Sequence, residues 1–103
     1  TLQGITFVDP AEISYAQSDE KYTKVVLSSG KKIFVSHSMK ELEALLPESD
    51  FLLPHQSFIV RISSIRRLQR SLGGLHLVLK DKVEIPVSRR NKEGVLKILG
   101  IEP

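Results

Sequence analysis

The sequence predicts a mainly antiparallel β domain of many short strands with one or two small helices. Three observations lead there. Apolar residues alternate at period two over much of the chain, as in Thr23, Val25 and Leu27 or Leu75, Leu77 and Leu79. Turn chemistry recurs at short intervals, at Asp9-Pro10, Ser28-Ser29-Gly30-Lys31, Leu72-Gly73-Gly74 and Asp81-Lys82. Helical spacing of apolar residues occurs in only two short stretches. A length of 103 residues with 41% hydrophobic content supports one core, hence one domain over residues 1–103.

The elements follow in order. Ile5 and Phe7 suit a first strand running into the Asp9-Pro10 turn, and Ile13 and Tyr15 begin a second. Gln17 to Lys21 reads as a polar loop. The β-branched run from Tyr22 to Leu27 is a third strand, and Lys32 to Ser36 returns with Ile33 and Val35 on one face. Ser38 with Glu41 three residues later forms a capping box, followed by the stripe Met39, Leu42, Leu45 and Leu46 and the stop at Pro47. Glu41 and Glu43 on its outer face would repel phosphates, so this helix reads as a plug on the sheet, not a recognition helix. Phe51 to Pro54 reads as a connecting segment, Phe58 to Arg61 as a strand and Ile62-Ser63-Ser64 as a turn. Ile65 to Ser71 is strand-like but loaded with arginine. Leu75, Leu77 and Leu79 form one later strand face, and Val83, Ile85 and Val87 another. Ser88 to Leu99 suits a short helix with Val95, Leu96 and Leu99 inward, closed by Gly100. The expected buried scaffold includes Ile13, Tyr15, Val25, Leu27, Leu42, Leu45, Phe58, Val60, Leu77, Ile85 and Val87.

Composition narrows the chemistry. Zero cysteines exclude disulfides, cysteine-zinc sites and thiol catalysis, and fit a cytoplasmic setting. No apolar run is long enough for a membrane-spanning helix, and no signal-peptide pattern opens the chain. A start at Thr1 without Met leads to the expectation of a processed or excised chain. The three histidines have no metal-ligand spacing: His37 precedes a helix cap, His76 alternates with leucines, and His55 suits a hydrogen-bonded structural role. Asp19-Glu20 lies in a polar loop, and Gly73-Gly74 lacks a phosphate-loop lysine. The expectation is therefore no enzyme, no cofactor and no metal.

Charge is the informative feature. Residues 1–60 carry five Lys against eight Asp and Glu, whereas residues 61–92 carry nine Lys and Arg against Asp81 and Glu84. Every arginine lies in that second stretch. Arginine presents planar donors suited to phosphates and guanine edges. A merely solvated basic face is the bland alternative. The basic residues recur at element boundaries, however: Arg61 at a strand end, Arg89, Arg90 and Lys92 at a strand-to-helix junction, and Lys21 before the Thr23 strand. Loops on a rigid sheet can enter a groove. Few aromatics are available for stacking single strands, which favours double-stranded DNA as the partner. A β-rich interaction module without DNA binding is the alternative reading, and a hydrolase a distant third.

The order of motifs resembles a LytTR domain, the DNA-binding output module of the LytR/AlgR class of bacterial response regulators. The pieces are Ile13-Ser14-Tyr15-Ala16, Tyr22-Thr23-Lys24-Val25, Ser38-Met39-Lys40-Glu41-Leu42-Glu43, Phe51, His55-Gln56-Ser57-Phe58-Ile59-Val60, Ile65 and Ile85-Pro86-Val87-Ser88-Arg89-Arg90. The resemblance covers roughly residues 13–99. It implies an elongated β fold whose loops enter successive grooves of bent DNA. It also implies binding as pairs on direct repeats and a position C-terminal to a receiver domain, as part of a two-component transcription regulator. Carried over residue by residue, it places base readers at Lys21, Arg61 and Arg89, and phosphate contacts at Ser88, Arg90 and Lys92. Arg66 and Arg67 are further phosphate candidates, with Arg70 adding to the positive field. The family often has Arg at the position of Leu53, Arg at Gln56 and Asn at Arg61. Asn favours adenine and Arg guanine, so the resemblance implies a different target base there.

Overall fold

The computed structural model of the chain describes residues 9–100, so the strand expected through Ile5 and Phe7 lies outside the described residues. A 3-10 turn at Pro10–Glu12 leads into β1 (Ile13–Asp19), which forms a hairpin with β2 (Tyr22–Leu27). The loop expected over Gln17 to Lys21 shrinks to the two residues Glu20 and Lys21. Gln17, Ser18 and Asp19 pair with Lys24, Thr23 and Tyr22, because the ladder uses backbone groups and tolerates polar side chains facing water. Glu20 takes a left-handed φ of 43° to close the turn. After the Ser28–Lys31 turn, with Gly30 at φ 94°, β3 (Lys32–Val35) returns along β2.

The first helix, α1 (Met39–Leu45), begins at the expected capping box. The Ser38 amide donates to Glu41 Oε1 at 2.9 Å, and the Glu41 amide donates to Ser38 Oγ at 3.1 Å. Leu42 is buried, with Met39 and Leu46 packed beside it. Leu45, expected in the same stripe, is 64% exposed: the two-turn helix rests on β1 and β5, and Leu45 falls past the edge of that contact.

Phe51–His55 is a strand, β4, and not a connecting segment. It pairs with β5 (Phe58–Arg61) at the edge of the sheet, where Pro54 needs no amide to donate. A 3-10 turn at Ile62–Ser64 then leads to β6 (Ile65–Ser71), β7 (Gly74–Leu79) and β8 (Glu84–Val87). The last helix, α2, spans Lys92–Leu99 and is shorter than the segment expected from Ser88. Ser88 instead opens a turn, its Oγ accepting from the Asn91 amide at 3.2 Å. Gly100 closes α2 in the left-handed conformation, with φ 74°.

The strands form a five-stranded sheet ordered β3-β2-β1-β5-β4 and a three-stranded sheet ordered β6-β7-β8, all antiparallel. Each face of the larger sheet has its own core. On one face Ile13, Ala16, Val25, Leu27, Phe51 and Ile59 pack under Leu42 of α1. On the other, Tyr15, Val26, Leu52 and Val60 pack against Leu77, Leu79 and Ile85 of the smaller sheet and Val95 of α2. A register shift between Ile13 and Tyr15 explains how β1 serves both faces: the extra residue puts Ile13 and Ala16 on the α1 side while Tyr15 faces the other core. Burial, with Asp81 nearby, pushes the Tyr15 phenol up and keeps it neutral. Each buried aliphatic side chain in these cores contributes about 1.5–3 kcal/mol. The resulting body is elongated, 46 × 24 × 24 Å.

Candidate nucleic-acid interface

One end of the five-stranded sheet collects the loops. β1 and β5 run antiparallel, with Gln17 opposite Phe58 and Tyr15 opposite Val60. The β1–β2 turn carrying Lys21 therefore lies at the same end as the Gln56-Ser57 turn between β4 and β5. A bond from the Ser18 amide to the Ser57 carbonyl, 2.9 Å, ties the two together. The segment after β8 reaches the same end along the open edge of β4. The Ser88 amide donates to the Pro54 carbonyl at 2.7 Å, and Asn91 Nδ2 donates to the Leu53 carbonyl at 2.9 Å. A bulge between Leu52 and His55 leaves these carbonyls out of the β4–β5 ladder, and the Ser88–Asn91 segment satisfies them. Sequence reasoning missed Asn91; the signal was Ser88 and Asn91 three apart at a strand-to-helix junction.

Pinned in this way, the segment exposes Arg89 and Arg90, with Lys92 exposed at the start of α2 and Lys21 exposed at the neighbouring hairpin turn. Ser88 is half-buried. Its oxygen accepts from Asn91 while its own hydroxyl proton stays available to an external acceptor. Asp19 and Glu20 lie beside Lys21 and are also exposed. Among the described residues the ion pairs are His37–Glu41 at 4.0 Å and His76–Glu84 at 3.5 Å, so no Lys or Arg there is neutralised by a carboxylate.

Arg61 is placed differently from the expectation that it projects into a groove. It sits at the opposite end of the sheet, half-buried, paired across β4–β5 with Phe51. Its Nε donates to the Ile13 carbonyl at 2.8 Å and its Nη2 to the Pro10 carbonyl, while the guanidinium lies 4.8 Å from the Phe51 ring centroid. The planar fork is engaged with backbone and ring, so this arginine fastens the Pro10–Glu12 turn to the sheet. The structure thus brings Lys21, Ser88, Arg89, Arg90 and Lys92 together and leaves Arg61 apart. Arg66, Arg67 and Arg70 are exposed on β6, the edge strand of the smaller sheet, where Arg67 Nε bonds Gln69 Oε1 at 3.2 Å.

The histidines are dispersed. His55 Nδ1 accepts from the Ser57 amide at 3.1 Å and meets Phe58 edge-on, the structural role expected of it. Among the described residues no three His, Asp or Glu side chains cluster to hold a metal ion. In the same residues no helix is long and apolar enough to cross a membrane.

Comparison with known proteins decides the family. The model of the LytTr DNA-binding domain matches residues 3–100, nearly the whole chain. The chain belongs to the LytTR family. Its LytTR relatives include the sensory transduction protein LytT of Bacillus subtilis, 32% identical over 100 residues, covering 96% of this chain and 41% of that protein. The CO-responsive transcriptional regulator RcoM of Rhodospirillum rubrum is 36% identical over 97 residues, covering 92% of this chain and 41% of that protein. The LytTr DNA-binding domain of a response regulator from Bacillus cereus superposes with a TM-score of 0.85 at 26% identity, over 98% of this chain and 93% of that one. The LytTR chain thus spans about two fifths of the length of these curated relatives. Its mainly β, antiparallel architecture is that of the LytTR structural neighbour, as the motif order implied.

Proposed function

We propose that this LytTR domain binds double-stranded DNA in a sequence-specific manner, as the output part of a longer transcription regulator whose receiver domain precedes it. The observation that carries the reading is the Ser88–Lys92 segment, hydrogen-bonded to the β4 edge and presenting Arg89 and Arg90 unpaired beside the Lys21 turn. Neighbouring strands lie about 4.8 Å apart, so three to four spacings, roughly 14–19 Å, separate the Lys21 turn from the segment beyond β4. That is wider than one major groove, about 12 Å, so the long Lys21 and Arg89 side chains would reach inward from its two sides. In this reading Arg89 and Lys21 address base edges, and Ser88, Arg90 and Lys92 hold phosphates on either side. Arg66 and Arg67 on the β6 edge offer a second phosphate contact farther along the elongated body. Arg61, the third reader expected from the sequence, acts instead as an internal fastener.

Rigid anchoring matters because specificity needs the guanidinium held in register before contact. Phosphate neutralisation supplies the sequence-independent part of the affinity, and base contacts add discrimination. Selection of binding sites from a random duplex pool, followed by titration at several salt concentrations, tests the proposal. A selected consensus and a steep loss of affinity with salt are expected. Absence of binding to any duplex at low salt would overturn it and favour a β-rich interaction module.

A further inference from the structure

The β6–β7 hairpin ends in an apolar tip. Ser71 pairs with Gly74, so Leu72 and Gly73 alone make the turn, and Gly74 closes it at φ 116°. Two-residue turns ordinarily carry Gly, Asn, Asp or Ser, whose backbone freedom or polar side chains suit them. Here a leucine stands at the first turn position, 109% exposed and clear of the described residues. A turn this short, held by paired strands, cannot fold that side chain back onto a core. Single exposed apolar residues are common on protein surfaces, so exposure alone assigns nothing. Two further observations point to a ligand. The first is charge: residues 65–79 include Arg66, Arg67 and Arg70 and no Asp or Glu, and all three arginines are exposed. The second is placement. Leu75 pairs with Val87 across β7 and β8, so Ser88 leaves β8 level with Gly74. The tip therefore lies at the end of the smaller sheet from which the Ser88–Lys92 segment departs. Two strand spacings, roughly 10 Å, separate Leu72 from the start of that segment.

We propose that Leu72 is a wedge, entering the minor groove next to the major groove that Arg89 addresses and parting one base step there. The inference rests on the DNA-binding reading and deepens it. A base step is an apolar slot between two anionic backbones, which matches an apolar tip backed by arginines. The separation of Leu72 from Ser88 is enough to cross one sugar-phosphate backbone, so Leu72 and Arg89 address neighbouring grooves. Apolar wedges of this kind unstack a step and kink the duplex by about 20–90°. Pyrimidine–purine steps part most easily, so Leu72 adds a sequence preference without a hydrogen bond to any base. Arg70, two residues before the tip, holds a phosphate beside the opened step.

The test places an adenine analogue, whose fluorescence rises on unstacking, at successive positions of the selected duplex. Wild-type chain is expected to brighten one step and to bend the duplex, read by energy transfer between its ends. Leu72→Ser should bind several-fold more weakly, brighten no step and bend the duplex less. Its urea midpoint should stay unchanged, because the leucine packs against nothing. Leu72→Met should keep the brightening, since methionine fills the same slot. Exchanging the parted step for a stiffer one should weaken wild type and leave Leu72→Ser nearly indifferent. A duplex bound by wild type with no step brightened, or brightening and bend that survive Leu72→Ser, would overturn the wedge and leave DNA binding standing. No binding to any duplex would remove both. An anionic membrane is the other surface suited to an apolar tip among arginines. Phosphatidylglycerol vesicles that retain wild type but not Leu72→Ser, with no step brightened on DNA, would overturn the proposal and assign the tip to lipid.

Discussion

Replacing Arg61 with alanine should weaken the fold and leave sequence discrimination in place. The side chain donates to two backbone carbonyls, those of Ile13 and Pro10, and stacks over Phe51 at 4.8 Å. Hydrogen bonds from a charged donor contribute about 1.5–3 kcal/mol each. A cation–π contact adds about 0.5–2 kcal/mol, depending on how dry the site is. Arg61 is half-buried, and contacts sharing one group do not add, so the low end of each range applies and the loss comes to roughly 2–4 kcal/mol. For a domain of about 100 residues that lowers Tm by roughly 10–25 °C. Urea unfolding gives the free energy, and duplex titration below the variant's Tm gives the ratio of specific to random affinity. Arg61→Lys should recover little, because one ammonium cannot bridge both carbonyls and the ring together. An Arg61→Ala chain as stable as wild type, but unable to distinguish its selected site from random duplex, would refute this reasoning and return Arg61 to the base-reading role.

Three further outcomes follow from the same geometry. Asn91→Ala removes the bond to the Leu53 carbonyl and loosens the Ser88–Lys92 segment, so duplex affinity should fall several-fold with little change in urea midpoint; unchanged affinity would show that the anchor is dispensable. Arg90→Ala and Lys92→Ala should each reduce the slope of log affinity against log salt by about 1 and weaken selected and random duplexes alike, which salt titrations read directly. Hydrogen bonds from Ser38, and secondarily the charge of His37, hold the exposed Glu41 carboxyl below its ordinary value. A depressed folded pKa stabilises above the unfolded value and is lost as pH falls through the folded one. The stability difference between wild type and Glu41→Gln should therefore be level near neutral pH and vanish at acid pH, as followed by urea midpoints across the carboxylate range. A difference that grows on acidification would contradict the capping account.

Much of the fold was legible because local chemistry and long-range packing agree. The Ser38–Glu41 capping box, the Gly30 and Gly100 turns and the alternating Leu75–Leu79 strand carry their structure in a few adjacent residues. The misreadings arose where pairing overrides pattern. Gln17 to Asp19 looks like loop on polarity, but β2 pairs with all three residues and β5 with Gln17, which fixes the backbone of β1 there. Phe51 to Pro54 looks like a connector on its proline, but an edge strand tolerates it, and the bulge there breaks the alternation that would have marked a strand. The candidate site divides in the same manner. Arg89, Arg90 and Lys92 were visible as a basic cluster following a strand. The tether that presents them runs from Asn91 to Leu53, residues far apart in sequence, and nothing local announces it. Arg61 misleads for the opposite reason. A cation at a strand end looks free until the β4–β5 register sets it across from Phe51.

In the proposed interface the anchored Ser88–Lys92 segment delivers Arg89 to a base. The most direct measurement is the affinity of wild type and Arg89→Ala for the selected duplex and for random duplex, at one fixed salt concentration. Loss of one good bidentate base contact costs about 1–3 kcal/mol on the selected site, with a clearly smaller loss on random duplex. That difference in losses is the predicted result. Equal losses on the two duplexes would make Arg89 a phosphate contact, and no loss on either would remove it from the interface; both contradict the account.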